Sequence, residues 1–274
     1  MSQPTGIPNG SPAPPSPAAV TPEPALRLRG LTRRFGSMVA VDHLDLDVPR
    51  GSFYGLVGPN GAGKTTTLSM ATGLLRPDAG TAEVLGVDVW SDPVAAKSRI
   101  GVLPDGLRLF DRLTGRQLVT YAGLLRGLGR DLVAERVPEL LAALGLVEAQ
   151  DKLVIDYSAG MTKKVTLACA LVHAPRLLVL DEPFEAVDPV SARTIRGILE
   201  GFAASGGTVV LSSHVMELVE RICTDVAIIA AGTVRAAGHL DQVRGGGSLE
   251  DRFLELVGGV TAVEGLAWLR TSSD

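Results

Sequence analysis

The fold is decided by the nine residues Gly58-Pro-Asn-Gly-Ala-Gly-Lys-Thr-Thr66. They match the phosphate-loop pattern G-x-x-x-x-G-K-[ST], with every constrained position filled. The apolar run Ser52–Val57 before them is typical of a buried strand, and Thr67–Leu75 after them predicts a helix. Because a phosphate loop needs this strand–loop–helix context, the stretch predicts a nucleoside triphosphate site. The alternative is a glycine-rich turn with a solvent-facing lysine, and the complete pattern argues against it.

The residue types explain how this loop would bind phosphate. Glycines let successive backbone N–H groups point inward, and the helix N-terminus that follows adds unpaired N–H groups and a positive dipole end. Lys64 can reach the β- and γ-phosphates, and the Thr65 hydroxyl can bind Mg²⁺. The predicted binding residues of the loop are Gly58, Pro59, Asn60, Gly61, Ala62, Gly63, Lys64, Thr65 and Thr66.

The composition limits the class of protein. The chain has 274 residues, enough for one large domain or two small ones. Its net charge of −4 argues against a surface that coats nucleic acid. No apolar run reaches the ~20 residues needed to cross a bilayer, and no secretory leader pattern begins the sequence. We therefore expect a soluble cytoplasmic protein with no nucleic-acid partner and with Cys169 and Cys223 as free thiols.

The chain divides by composition into a domain and two tails. Residues 1–24 are rich in Pro, Ser and Ala, so we expect a disordered tail there. We expect one domain over residues 25–257, with a helical block inserted at about residues 105–172. Residues 258–274 form a weakly patterned C-terminal tail.

Within the domain, the patterns predict strands first and helices later. The stretches Ala25–Leu31 and Val39–Val48 alternate like strands, with a turn expected at Arg33–Gly36. In the helical block, Thr114-Gly-Arg-Gln117 is typical of a capping box. Helices are predicted over 115–127 and 132–144 and close at Gly129 and Gly145.

Two carboxylates follow a strand in the second half of the chain. The run Leu177–Leu180 is apolar and precedes Asp181 and Glu182. A helix over 189–204 joins it to the strand Thr208–Ser212, which predicts a parallel β–α–β crossover. Because ligands of open α/β sheets bind at the carboxyl ends of strands, both carboxylates should face the phosphates.

These positions suggest roles at a nucleotide. Asp181 would hold Mg²⁺ directly or through water, and Glu182 would be the base or positioner for an attacking water. The alternative for this pair is an exposed acidic strand end. His214 follows the next strand and could contact a γ-phosphate, although a lone histidine there is more often a satisfied core residue.

The stretch Tyr157-Ser-Ala-Gly-Met161 begins a predicted helix over Thr162–Val172. Ser158 can cap the helix, and Gly160 would let a phosphate approach its N-terminus closely. Within one chain the stretch is only a helix start, and the residues alone favour that interpretation.

Taken in order, these motifs resemble the ATPase subunit of an ATP-binding cassette (ABC) transporter over about residues 25–257. Gly58–Thr66 is similar to its phosphate loop, and Leu177–Glu182 to its second nucleotide motif. Tyr157–Met161 resembles its signature, and Val187-Asp188-Pro189 its dimer-contact loop. The implied fold is an α/β P-loop NTPase: a RecA-like mixed sheet with helices, an antiparallel β subdomain and an inserted α-helical subdomain.

The resemblance also implies residue roles and partners. Phe35 would stack on adenine, although an isolated aromatic is more often core, and His214 would be the switch histidine. A second subunit, in a homodimer or a heterodimer, would bring its signature to the opposite phosphate loop. The residues that would act in trans are Ser158, Ala159, Gly160 and Met161, with Asp188 at the dimer contact.

The departures from the family pattern indicate which branch of the family this chain resembles. Where the family usually has glutamine, at the coupling loop, this chain has Asp105, and its signature contains Ala159 and Met161. Asp105 and Met161 suit exporter-type relatives with a separately encoded permease, whereas Ala159 puts the hydrolysis rate in doubt. The resemblance thus implies an ATPase that uses ATP and Mg²⁺ to export a small molecule, such as a drug or antibiotic. It would bind an integral membrane permease at the cytoplasmic face of the membrane.

Two other classes compete with this hypothesis. A non-transport ABC ATPase would act on ribosomes or DNA, but those proteins usually carry two cassettes or long coiled coils. A P-loop GTPase would need an Asn-Lys-x-Asp motif, and asparagine occurs only at Asn9 and Asn60.

Overall fold

The computed structural model describes residues 23–106 and 109–258. Its strands are β1 (Leu26–Phe35), β2 (Met38–Val48), β3 (Phe53–Val57), β4 (Ala79–Val84), β5 (Val87–Asp88), β6 (Ile100–Leu103), β7 (Leu177–Leu180), β8 (Thr208–Ser213), β9 (Asp225–Ala230) and β10 (Thr233–His239). Its helices are α1 (Lys64–Ala71), α2 (Pro93–Arg99), α3 (Gly115–Leu125), α4 (Arg130–Ala143), α5 (Ala159–Leu171), α6 (Pro189–Ala204), α7 (Met216–Ile222), α8 (Leu240–Arg244) and α9 (Leu249–Val257).

The strands form two sheets. The smaller has the order β2-β1-β4-β5 and is antiparallel. The larger has the order β10-β9-β3-β8-β7-β6, in which only β10 runs against its neighbour. The predicted β–α–β crossover is therefore confirmed as β7-α6-β8. Parallel strands bring their carboxyl ends to one edge, which places the ends of β3, β7 and β8 side by side.

Apart from the edge strand β10, the strands of the larger sheet are buried on both faces, which explains their continuous apolar runs. In β3, Phe53 and Val57 pack in a core with α3, α4 and α5. Tyr54 and Leu56 point the other way, into a core shared with α1 and the small sheet. The mixed α/β fold expected from the sequence is confirmed.

The predicted helical block contains α3, α4 and α5, which pack on one another. Its capping box is confirmed, because the Thr114 side chain accepts from the Gln117 N–H and the Gln117 side chain accepts from the Thr114 N–H. The closing residue predicted for α3 was wrong. Gly127 has φ +79° and follows the end of α3, whereas Gly129 has φ −62° and begins α4. Gly145 follows α4 with φ +64°, as predicted.

Two predicted boundaries near the phosphate loop were wrong. The turn expected at Arg33–Gly36 is mostly strand, since Phe35 still pairs with Met38 and only Gly36, at φ +59°, begins the reversal. The helix expected over Thr67–Leu75 is α1, which begins at Lys64. It begins earlier because the glycine loop itself turns directly into the helix.

Three short helices, α2, α7 and α8, were not predicted. For α2 the sequence carried a signal, the pair Asp92-Pro93, since aspartate favours the N-cap and proline the first helical position. In the structure the Asp92 side chain accepts from the Ala95 N–H. Both cysteines are free, Cys223 buried and Cys169 half-buried.

Most of the two predicted tails lies outside the described residues. At the N-terminal boundary, the Arg50 guanidinium bonds to the Glu23 carbonyl and carboxylate at 2.8 and 3.0 Å. Within the described ranges, no helix is long and apolar enough to span a membrane.

Candidate nucleotide site

Two glycines of the phosphate loop, Gly58 and Gly63, cannot be replaced by a larger residue without displacement of the backbone. A Cβ on Gly58 would lie 2.3 Å from the Ile229 carbonyl oxygen. A Cβ on Gly63, whose φ is +102°, would lie 2.4 Å from the Ala40 carbonyl oxygen. Gly63 directly precedes α1, and no side chain among the described residues caps that helix. The first-turn N–H groups of α1 therefore remain available to an anion.

Lys64 lies at the centre of this arrangement. Its side chain is only 7% exposed, and its Nζ donates to the Gly58 carbonyl at 2.8 Å and to the Pro59 carbonyl at 3.3 Å. The same Nζ lies 3.9 Å from Oε1 of Glu182. Burial lowers the pKa of Lys64, against the opposing effect of Glu182 and Asp181. The ammonium thus bridges the loop and the carboxyl end of β7.

Ser212, which the sequence did not predict as part of the site, connects the Asp181 carboxylate to the backbone N–H of Glu182. The Ser212 hydroxyl, fully buried near the end of β8, donates to Oδ1 of Asp181. It also accepts from the Glu182 N–H at 2.9 Å. Ser212 was interpreted only as strand, and its signal was its place in the strand predicted beside β7.

Glu182 and His214 are in contact. Nδ1 of His214 lies 3.2 Å from Oε1 of Glu182, the same oxygen that faces Lys64. Glu182 has φ +45°, in the left-handed region that L-residues rarely adopt. The alternative for His214, a satisfied core histidine, is wrong, because this side chain is 44% exposed. The alternative of an exposed acidic strand end is also wrong, because Asp181 is buried and the side chain of Glu182 is only 14% exposed.

Lys64, Glu182 and His214 line one cavity of about 430 Å³, a volume that suits a small-molecule ligand. Phe35 stands in the wall with 44% of its surface exposed, and the Arg33 guanidinium lies 5.1 Å from its ring centroid. The complete lining is Phe35, Met38, Val39, Ala40, Asn60, Gly61, Ala62, Gly63, Lys64, Thr65, Thr66, Asp105, Glu182, Glu185 and His214.

Other predicted site residues lie outside this lining. Gly58 and Pro59 stand behind Lys64, and Asp181 lies behind Glu182 with its carboxylate bonded to Ser212. Thr65, the other predicted metal ligand, is exposed in the cavity wall. The donors offered by Thr65 and Asp181 are hydroxyl and carboxylate oxygens, which are the ligands that Mg²⁺ prefers.

The predicted signature residues form a separate cluster at the N-terminus of α5. The Ser158 side chain caps this helix by accepting from the Met161 N–H at 3.3 Å. A Cβ on Gly160 would meet Oδ2 of Asp188 at 2.7 Å and Oγ of Ser191 at 2.8 Å. Asp188 in turn caps α6 by accepting from the N–H groups of Val190 and Ser191. Ala159 is exposed at the start of α5. The signature and the dimer-contact loop therefore touch each other within one chain.

Asp105 connects this region to the cavity. It lines the cavity, and its Oδ1 lies 3.7 Å from Nζ of Lys163, a residue of α5. Nζ of Lys163 also donates to the Glu182 carbonyl at 2.9 Å. Lys163 was missed by sequence reasoning, because a lysine inside a helix is usually solvated and nothing in the sequence places it opposite Glu182.

Comparison with known proteins agrees with this geometry. A family model described as "ABC transporter" matches residues 41–185, just over half of the chain. The chain belongs to the ABC transporter family. The match extends from β2 through the phosphate loop and the signature to Asp181 and Glu182, whereas Phe35, the dimer-contact loop and His214 lie outside it. A solved structure titled "Structure of ATP binding subunit of ABC transporter" superposes with a TM-score of 0.79 at 29% identity. The alignment covers 85% of this chain and 99% of that one.

Two curated relatives of this ABC protein carry functional names. The daunorubicin/doxorubicin resistance ATP-binding protein DrrA of Streptomyces peucetius is 38% identical over 81% of this chain and 68% of its own length. The Nod factor export ATP-binding protein I of Cupriavidus metallidurans is 38% identical over 78% of this chain and 70% of its own length. The predicted family and P-loop NTPase fold are confirmed, and these relatives are resistance and export proteins, as the exporter-type branch requires.

Proposed function

We propose that this chain is the ATP-binding and ATP-hydrolysing subunit of an exporter, and that it powers the transport of a small molecule through a separately encoded membrane permease. One observation supports the proposal above all. Nζ of Lys64 and Nδ1 of His214 lie 3.9 and 3.2 Å from the same oxygen, Oε1 of Glu182, in a cavity lined by the phosphate loop. A cation for phosphate and a carboxylate with a histidine partner are the groups that phosphoanhydride hydrolysis needs.

ATP would lie along the cavity with its adenine on Phe35 and its phosphates on the loop. The backbone N–H groups from Asn60 to Thr66 would surround the β-phosphate, and Lys64 would turn from its carbonyl partners toward the β- and γ-phosphates. Thr65 and Asp181 would hold Mg²⁺, which neutralises charge on the phosphate oxygens when bound.

Glu182 would accept the proton of the attacking water, because its carboxylate lies in the cavity wall beside His214. His214 would hold the Glu182 carboxylate and contact the γ-phosphate with its other ring nitrogen. Both roles need the imidazole to remain at the cavity wall, where its Nδ1 already contacts Oε1 of Glu182.

The charge-stabilising donors would be completed by a second ABC subunit, a homodimer partner or a related chain. Ser158, Ala159, Gly160 and Met161 would face the partner's nucleotide, and Asp188 would stand at the contact between subunits. Their position outside the cavity of their own chain supports this arrangement, since the motif then has no nucleotide of its own to bind.

The coupling residue to the permease would be Asp105. It stands in the cavity wall with nearly half of its side chain exposed, so it could respond both to the nucleotide and to a protein bound outside. The complex would sit at the cytoplasmic face of the cell membrane. The name of the Nod factor export relative supports export, and the name of the daunorubicin/doxorubicin resistance relative supports a drug or antibiotic as the transported molecule. The non-transport alternative is not favoured, because no relative reported above carries such a role.

The test is hydrolysis by the wild-type chain beside Glu182→Gln, with the exposed Glu139→Gln as matched control. Glu182→Gln removes the carboxylate charge but keeps the shape, so ATP should bind normally while turnover falls by ~10²-fold or more. The control should hydrolyse like the wild type. Normal hydrolysis by Glu182→Gln would overturn the role given to Glu182. Export is tested by co-purification, and a stable complex with cytosolic factors and no polytopic membrane protein would count against it.

A further inference from the structure

Glu182 holds an unusual backbone conformation. Its φ of +45° lies in the left-handed region, where the Cβ of an L-residue is crowded. Such conformations persist only where surrounding contacts fix them, and they concentrate at functional sites. The residue before it, Asp181, ends the buried strand run, and the residue after it is Pro183. The direction of the Glu182 side chain therefore depends on what holds its two peptide groups.

Both peptide groups of Glu182 are held by side chains from other elements. Its N–H donates to Ser212 at the end of β8, at 2.9 Å. Its carbonyl accepts from Nζ of Lys163 on α5, also at 2.9 Å. The second bond is charge-assisted, and hydrogen bonds of that kind are roughly twice as strong as neutral ones.

Lys163 is itself held in place. Its side chain is 19% exposed, and its ammonium lies 3.7 Å from Oδ1 of Asp105. One cation thus touches the backbone of Glu182 and a carboxylate in the cavity wall at the same time. Lys163 stands one helical turn and a half beyond Ser158, on the helix whose N-terminus carries the signature.

We propose that Lys163 is a positioning residue for hydrolysis: by fixing the Glu182 carbonyl it holds the carboxylate in line with the attacking water, and it makes that alignment depend on the position of α5. This proposal rests on the role given to Glu182 above. Because Lys163 bonds the peptide and not the carboxylate, its loss should misplace the base without removing it. ATP binding uses the loop and Phe35, so it should be unaffected.

The experiment compares the full-length chain with Lys163→Met, Lys163→Arg and, as matched control, Lys152→Met, which removes an exposed lysine of the same helical block. Steady-state hydrolysis, equilibrium ATP binding in excess EDTA and thermal unfolding are measured for each. Lys163→Met should lower kcat by roughly 10–100-fold, the effect of a misplaced catalytic group. KM, ATP affinity and Tm should stay close to the wild type. Lys163→Arg should recover most of kcat, because it keeps a cationic donor.

Two results would overturn the proposal. One is an unchanged kcat for Lys163→Met. The other is a fall in kcat that tracks a lower Tm or weaker ATP binding and that arginine does not relieve, because Lys163 would then only stabilise the fold.

A double variant separates this proposal from the proposed function. If Lys163 acts through Glu182, then Lys163→Met should cost little further activity in the Glu182→Gln background, where the base is already lost. If instead the fold-losses in kcat of the two single variants multiply in the double variant, the proposal is contradicted. Normal turnover by Glu182→Gln alone would overturn the proposed role of Glu182, whereas an inactive Glu182→Gln with an active Lys163→Met would overturn only the role of Lys163.

Discussion

Two helix N-termini in this protein carry glycine-containing motifs, and they differ in how their first turns are satisfied. α1 begins directly after Gly63 and opens into the cavity, and among the described side chains none caps it. α5 begins after Ser158, whose hydroxyl already accepts from the Met161 N–H. The glycine of α1 is crowded by backbone oxygen, whereas Gly160 of α5 is crowded by the side chains of Asp188 and Ser191.

One terminus is thus arranged for a ligand of its own chain, and the other is not. The first-turn residues of α1, from Lys64 to Thr66, line a cavity that Glu182 also lines. The α5 terminus is packed on α6 and contacts the dimer-contact loop. On our account a single chain binds ATP through α1, and a second chain is needed for α5 to contribute.

The largest expected effect is on ATP affinity and comes from Lys64, at the start of α1. Lys64→Met removes the ammonium that should bond the β- and γ-phosphates, so ATP affinity should fall by about 10–100-fold, which corresponds to hydrogen bonds of ~1.5–3 kcal/mol to a charged group. Equilibrium binding by isothermal calorimetry measures it, with the exposed Lys97→Met on α2 as control. Unchanged affinity in Lys64→Met would mean that the cavity is not the ATP site.

A smaller effect is expected at α5, on stability and not on binding. Gly160→Ala places a Cβ 2.7 Å from Oδ2 of Asp188 and should destabilise the chain by about 1–3 kcal/mol through overpacking. Gly197→Ala, inside α6 with nothing within 4 Å of the added Cβ, should instead stabilise by about 0.5–1 kcal/mol. Denaturant unfolding compares the two. ATP affinity of the single chain should be unchanged in both, and weaker binding in Gly160→Ala would contradict the separation of the two termini.

The smallest expected effect concerns the far end of α5. His173 follows this helix, and its Nε2 donates to the Ile100 carbonyl at 3.0 Å. Burial, with the nearby Arg126, lowers the pKa of His173 to about 4. Since the unfolded histidine titrates near 6.5, this contribution to stability is complete above about pH 6.5 and is lost as the pH falls from there toward 4.

The wild type should therefore unfold at lower temperature at pH 5 than at pH 7, and His173→Gln should show a weaker dependence on pH. The exposed His239→Gln serves as control and should keep the wild-type dependence. An equal dependence on pH in His173→Gln would contradict the lowered pKa of His173 in the folded chain.

Local signals explain what the sequence predicted well. The phosphate loop, the capping box at Thr114 and the cap at Ser158 all rest on short spacings, and the structure contains each of them. The rule for strand ends in parallel sheets predicted that both carboxylates would face the phosphate loop, and Glu182 lines the cavity there whereas Asp181 does not.

What the sequence did not predict depends on contacts between distant segments. Ser212 joins Asp181 to Glu182 across two strands, and Lys163 reaches Glu182 from α5. Neither residue belongs to a spaced motif, so only the packing of the sheet against α5 reveals them. The early start of α1 was missed for a related reason, since the glycine loop was treated as separate from the helix that it begins.

Substitutions at Ser158 test whether α5 completes the nucleotide site of the partner. In the Glu182→Gln background, Ser158→Asp and Ser158→Asn have the same shape and both can cap α5, but only aspartate brings a negative charge toward a facing phosphate. Sedimentation velocity with saturating ATP measures the dimer.

We expect the asparagine variant to form an ATP-dependent dimer. The aspartate variant should stay monomeric and should bind ATP with the same affinity as the Glu182→Gln chain. Equal dimer formation by the two variants would contradict this expectation, because Ser158 would then not face a nucleotide in the partner.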